Sequence, residues 1–133
     1  MKKTQLLATL YKMRSNPLYQ HAEVRRRELG DVSAMARAEQ NTTEYAQIRL
    51  LINTWELIST LILQVKHKDF IFETTPVLYM LTELSDAIDI ITEEFPDYAA
   101  NFRLVSKQQA EWLKFKDERY QTGEKSGMHA LFG

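Results

Sequence analysis

Apolar residues recur at three- and four-residue steps along almost the whole chain, the spacing that lines one face of an α-helix. The pattern is clearest in residues 43–66. There Tyr45, Ile48, Leu51, Ile52, Trp55, Ile58, Leu61, Ile62 and Val65 alternate with the polar positions Gln47, Arg49, Asn53, Glu56, Thr60 and Gln64. A stripe this wide, with β-branched residues on more than one side, predicts a long central helix touched by several neighbours. Residues 75–95 repeat the pattern through Val77, Met80, Leu81, Leu84, Ala87, Ile88 and Ile91. Thr75 is positioned to cap that helix, with Pro76 at its first position. Phe95-Pro96 ends it, because the residue before a proline is pushed out of the helical region. A further helix over 97–120 would turn Tyr98, Phe102, Val105, Gln109, Trp112 and Phe115 inward.

The first third is less regular. Leu6, Leu7, Leu10 and Tyr11 predict a short amphipathic helix. Asn16-Pro17 is a start signal, with Asn as cap and Pro at the first helical position. The next helix is expected to bury Leu18, Ala22, Arg25, Leu29, Val32 and Met35 or Ala36. Gly30, inside it, marks a bend, a close helix crossing or a break. Thr42 or Thr43 is expected to cap the central helix, and Lys66-His67-Lys68 supplies cations to its negative end. Phe70-Ile71-Phe72 is too apolar for a free loop and reads as one helical turn or a short extended stretch under the bundle. The expected fold is therefore all-α: a compact bundle of about five helices in a single domain over residues 1–121. A polar, glycine-containing tail follows over 122–133, with Met128, Leu131 and Phe132 at its end.

Composition narrows the chemistry. The 133 residues suit one domain. Without cysteine there is no disulfide framework, thiolate nucleophile or cysteine-ligated metal. Four glycines at 30, 123, 127 and 133 cannot build a phosphate-cradling loop. No Gly-x-Ser-x-Gly elbow is present. His21, His67 and His129 fall in different segments and read as surface residues, and no Glu-x-x-His motif accompanies the acids as a di-iron bundle requires. No cofactor, metal or catalytic residue is expected. The apolar run after Lys2-Lys3 is too short for an export signal or a membrane span, so a cytoplasmic location is the expectation. Trp55 and Trp112 sit in register with the core, whereas Tyr11, Tyr19, Tyr79, Tyr98 and Tyr120 are less fixed and suit a contact rim.

Net charge is only −1, yet the charge is segregated. Residues 1–38 hold eight Lys or Arg against three Asp or Glu. Residues 69–102 hold eight acids and no base. Glu83, Asp86, Asp89, Glu93 and Glu94, with Asp97 just beyond, follow helical steps and form the candidate partner-binding face. Lys12, Arg14, Arg26 and Arg27 form a weaker basic candidate. Among the three adjacent arginines Arg25 is in line with Ala22 and Leu29, and is expected to pair with an acid of the 75–95 helix.

Clustered exposed charge steers association more than it determines fold. The reading that follows is a non-enzymatic binding protein with a protein partner. A phage-encoded inhibitor of a host defence complex, such as an anti-CRISPR protein, is its specific form. The acidic surplus disfavours direct nucleic-acid binding. A helical self-assembly module, as a homodimer or scaffold, is the alternative, motivated by Phe70, Ile71, Phe72, Leu131 and Phe132. An enzyme with an unrecognised site is the third reading.

The stretch 52–58, with Trp55-Glu56, is followed by a turn containing Asp69 and a hydrophobic helix. It resembles an uncharacterised bacterial all-helical domain of unknown function, whose relatives are usually membrane-tethered. The closing segment from Phe102 to Trp112 is similar as well. The resemblance covers residues 18–120 and implies an all-α fold, with no activity or site residue attached.

Overall fold

The structure is a computed structural model that describes residues 2–123. It is all-helical, with seven helices and no strand among the described residues. They are α1 (Lys3–Ser15), α2 (Pro17–Leu29), α3 (Val32–Arg37), α4 (Thr43–Leu63), α5 (Asp69–Phe72), α6 (Val77–Glu94) and α7 (Ala100–Gly123). The count exceeds the five expected for two local reasons. Gly30 is a true break: it takes a left-handed φ of 69° and its N–H closes α2 on the Arg26 carbonyl. Asp31 then caps α3 by accepting from the Ala34 N–H at 3.1 Å. The 69–72 segment is the single turn α5, which buries Ile71 and Phe72. Phe70 is partly buried, with the Lys3 ammonium 5.1 Å from its ring centroid. The last residues of the predicted tail, including Met128, Leu131 and Phe132, lie outside the described residues.

Caps follow the sequence at two of the starts. Asn16 accepts from Leu18 N–H at 2.9 Å, and Thr42 accepts from Tyr45 N–H at 3.3 Å. At α6 they do not. Pro76 occupies the cap position without a side-chain bond, and the buried Thr75 hydroxyl has no hydrogen bond at all. The side chain that closes this helix comes from α7, 31 residues away. Gln109 Oε1 accepts from Leu78 N–H at 2.8 Å, while its Nε2 donates to the carbonyls of Phe72 (3.2 Å) and Thr75 (3.0 Å). One buried amide thus satisfies three backbone groups in the turn between α5 and α6.

Helix α4 packs against α1, α2, α3, α6 and α7, although α7, with 24 residues, is longer than its 21. It buries Ile48, Leu51, Ile52, Trp55, Ile58 and Ile62, and the Trp55 ring stacks on Phe102 at 6.0 Å. Its polar stripe seats the start of α7. Tyr98 Oη donates to Asn53 Oδ1 at 2.7 Å, Phe102 N–H donates to Glu56 Oε1 at 2.9 Å, and Asn101 Nδ2 donates to Thr60 Oγ1 at 3.0 Å. Glu56 therefore places a carboxylate at the positive end of α7. That helix begins at Ala100, three residues later than expected. Residues 95–99 form a turn in which Ala99 takes φ 58°, and Arg103 braces it by donating to the Pro96 and Tyr98 carbonyls.

Helix α2 presents a different face from the one its leucines suggest. Tyr19, Ala22 and Glu23 are buried and Arg26 follows on the same face. Leu18 is 71% exposed and Leu29 is exposed as well. Tyr11 and Phe115, expected inward, are also exposed. The phase of α2 is set by two polar contacts. Trp55 Nε1 donates to Tyr19 Oη at 2.8 Å inside the core, and Glu23 takes Arg26 in a bidentate pair at 2.9 and 3.1 Å.

The Tyr19 phenol is pushed up from 10.0 to about 12, chiefly by burial, opposed by the Trp55 indole N–H and reinforced by the Glu23 charge. The folded state holds this proton more tightly than the unfolded chain. Its contribution to stability is therefore complete below pH 10 and is lost as the pH rises toward about 12. Tyr19→Phe is expected to cost about 1–3 kcal/mol at neutral pH, because the indole N–H loses its buried acceptor. Its stability is also expected to fall less steeply than the parent's between pH 10 and 12. Chemical denaturation across that range checks both, and parallel alkaline slopes would contradict the assignment.

Candidate functional site

Helix α6 carries the acidic segment, and its two faces separate cleanly. Val77, Met80, Leu84, Ala87, Ile88 and Ile91 are buried. At 3.6 residues per turn, Asp86, Asp89 and Glu93 stand opposite that stripe, with Glu83 and Glu94 on its flanks. Asp86, Asp89, Glu93, Glu94 and Asp97 are all exposed.

Three of the eight acids in 69–102 are occupied within the fold. Asp69 accepts from Trp112 Nε1 at 2.8 Å, and Glu73 pairs with Lys116 at 2.9 Å. Glu83 accepts from Tyr79 Oη at 2.9 Å and lies 4.0 Å from Arg26. The bond to Glu83 raises the Tyr79 phenol above its ordinary pKa. The other five, Asp86, Asp89, Glu93, Glu94 and Asp97, have no side-chain hydrogen bond or ion pair with a described residue. No basic residue lies in the last turn of α6 to balance its negative end.

The basic candidates do not gather into a comparable face. Arg26 is the inward arginine in place of Arg25, with a side chain only 11% exposed. Its hydrogen bonds to Glu23 raise its pKa further. Arg27 reaches the same carboxylate at 3.1 Å. Arg25 pairs at the surface with Glu28 and Glu44. Arg14 bonds the Leu10 carbonyl, leaving Lys12 exposed beside it. The expected pairing of an α2 arginine with an acid of α6 is present, but through Arg26 and Glu83. The sequence offered one sign of it: Glu23, Arg26 and Arg27 stand at i, i+3 and i+4.

His21 and His67 are exposed, and His129 lies outside the described residues. No group of three or more potential metal ligands occurs among the described residues. None of the described helices is long and apolar enough to cross a membrane. Two surface grooves among the described residues have mostly apolar linings. One, about 500 Å³, lies between the α5–α6 turn and α7 and is lined by Phe72, Pro76, Leu78 and Leu113 among others. A second, about 380 Å³, lies between the α1–α2 junction and α4, where Leu18 and Leu57 are exposed. A smaller one, about 180 Å³, opens at the C-terminal end of α6 beside Glu94 and Phe95.

Comparison of the chain with protein-family models, with curated proteins and with solved structures finds no match in any of the three.

Proposed function

We propose that this chain is a non-enzymatic binding protein that occupies the surface of a cationic macromolecular partner through the outer face of α6. The observation that carries this reading is the division of the acids. The fold engages Asp69, Glu73 and Glu83 with side chains from distant helices, the first by an indole N–H and the other two by cations, and leaves Asp86, Asp89, Glu93, Glu94 and Asp97 unpaired. Like charges crowded toward the negative end of a helix oppose its formation. A surface that costs stability and contributes nothing to the core is suited to a contact outside the molecule. Carboxylates separated by rises of about 4.5 and 6 Å along α6 form a row of negative charge. A protein that binds nucleic acid would meet such a row as it meets phosphates. An inhibitor of a host defence complex, of the anti-CRISPR kind, is the specific form this mimicry supports.

The test is the combined variant Asp86→Asn, Asp89→Asn and Glu93→Gln. Glu83 is left intact, because it serves the α2–α6 contact. The melting temperature is expected to stay level or rise slightly, since Glu93→Gln relieves repulsion at the helix end worth about 0.3–1 kcal/mol and the two Asp→Asn changes relieve like-charge contacts along the same face. Capture of partner from a bacterial lysate is expected to fall sharply, most of all at low salt, where exposed charges are least screened. Undiminished capture at low salt would reduce the face to a solvated surface.

Self-assembly is the second reading, favoured by the groove that exposes Leu18 and Leu57. The 70–72 segment gives it less support, because Ile71 and Phe72 are buried within this chain and Phe70 is partly so. Sedimentation at 15.6 kDa in the micromolar range would remove it.

A further inference from the structure

The groove of about 500 Å³ between the α5–α6 turn and α7 has room for several apolar side chains. Pro76, Tyr79 and Leu113 are exposed along it, and Leu78 is half-buried. The polar side chains in its lining are engaged within the fold. Thr74 Oγ1 donates to the Ile71 carbonyl at 3.4 Å, Thr82 Oγ1 to the Leu78 carbonyl at 3.0 Å, and Tyr79 Oη to Glu83 at 2.9 Å. Glu73 pairs with Lys116, and both amide atoms of Gln109 serve the turn. The Thr75 hydroxyl makes no hydrogen bond but is buried. The groove is thus built to take apolar side chains rather than a polar ligand.

The chain itself supplies such side chains. Ten residues, 124–133, follow Gly123, the last described residue of α7. The polar stretch Glu124-Lys125-Ser126-Gly127 leads to Met128, Leu131 and Phe132, which stand at i, i+3 and i+4, the spacing of one helical face. Leu113 lies ten residues before Gly123, about 15 Å back along α7 at 1.5 Å per residue. Met128 lies five residues beyond Gly123, and an extended chain of that length spans about 17 Å. A chain that reverses at Gly123 therefore brings Met128 level with Leu113. Leu131 and Phe132 then reach toward Leu78, whose N–H meets Gln109 one turn further back along α7. Glycine suits the reversal, because it adopts the left-handed backbone that ends many helices without steric cost.

We infer that residues 128–132 of this chain fold back along α7 and fill the groove, with Leu131 and Phe132 against Leu78, Tyr79 and Leu113. Apolar surface on both sides leaves water in that arrangement. A tether this short holds the segment at an effective concentration of about millimolar, so a contact too weak to hold a separate partner suffices here. Asp86, Asp89 and Glu93 lie in later turns of α6, and the inference stands apart from the acidic-face reading.

The chain has no cysteine, so Gly133→Cys takes a single nitroxide label. Paramagnetic broadening in the nuclear magnetic resonance spectrum of the full chain then reads where residue 133 sits. Strong broadening is expected at the amides of Leu78, Tyr79 and Thr82, and little at Leu18 and Leu57 beside the other groove. Adding Leu131→Ser and Phe132→Ser to the labelled chain should remove most of the broadening over 78–82. Leu113→Glu should do the same from the groove side, with the rest of the spectrum reporting that the variant is folded. Spin-labelled chain at natural isotopic abundance, mixed with nitrogen-15 chain that carries no spin label, should broaden nothing over 78–82. Equal broadening in that mixture would place the segment of a second copy in the groove and overturn the inference. Absence of broadening over 78–82 in the labelled chain would overturn it too, as would broadening that persists in both sets of variants. None of these readouts involves the carboxylates of α6, so the two readings fail separately.

Discussion

Glu23→Ala is expected to destabilise the fold by about 3 kcal/mol. The Glu23 side chain is 6% exposed and that of Arg26 is 11% exposed, so both charges have been taken largely out of water. Their bidentate contact, with Arg27 on the same carboxylate, makes that arrangement tolerable. Truncation leaves the Arg26 guanidinium with only Glu83, 4.0 Å away. A buried cation without its hydrogen-bonded partner costs far more than the pair itself contributes. The paired replacement Glu23→Met with Arg26→Leu should accordingly recover most of the loss. Urea denaturation of the single and double variants checks this. A single variant within about 0.5 kcal/mol of the parent, the range of ordinary surface changes, would contradict the burial of the pair.

Gln109→Leu is expected to cost about 1–3 kcal/mol although it preserves apolar bulk, because it leaves the Leu78 N–H and the Phe72 carbonyl without their side-chain partner, the Thr75 carbonyl keeping the Val77 N–H at 2.9 Å. Leu78 N–H would lose its only side-chain acceptor, and the Phe72 and Thr75 carbonyls would lose their amide donor. Gln109→Glu should fail similarly, since a carboxylate accepts from Leu78 but cannot donate to the carbonyls. The buried Thr75 hydroxyl makes no hydrogen bond that could take over this role. The loss should be visible locally as faster amide exchange over 72–80. An intact exchange pattern there in Gln109→Leu would mean that the turn holds itself.

What the sequence made legible was whatever depends on near neighbours in the chain. The all-helical class, the Asn16 and Thr42 caps and the inward faces of α4 and α6 all follow from spacing within one or two turns. The face of α2 was not legible, because hydrophobic periodicity favours Leu18 and Leu29 over Glu23 and Arg26. The pair is buried because each supplies the other's charge, and that is invisible to a scale that scores residues singly. The inward turn of Gln109 follows from its register, but its partners, like those of the polar stripe of α4, were not legible because they lie 31–46 residues away. The acidic face was half legible. The outward direction of Asp86, Asp89 and Glu93 follows from helical phase. Which of the eight acids find a partner depends on Arg26, Lys116 and Trp112, which only the tertiary fold brings near.

The central claim is that the unpaired carboxylates of α6 are covered by a partner, and carboxyl footprinting reads this directly. Carbodiimide labelling of the free chain, followed by mass spectrometry, should modify Asp86, Asp89, Glu93, Glu94 and Asp97 together with the exposed Glu28, Glu39 and Glu111. In the complex captured from a lysate, the five acids of α6 and its following turn should become protected. Glu28, Glu39 and Glu111 should label as before. If α6 labels equally in the free chain and the complex, the partner sits elsewhere, and the acidic face is not the binding surface.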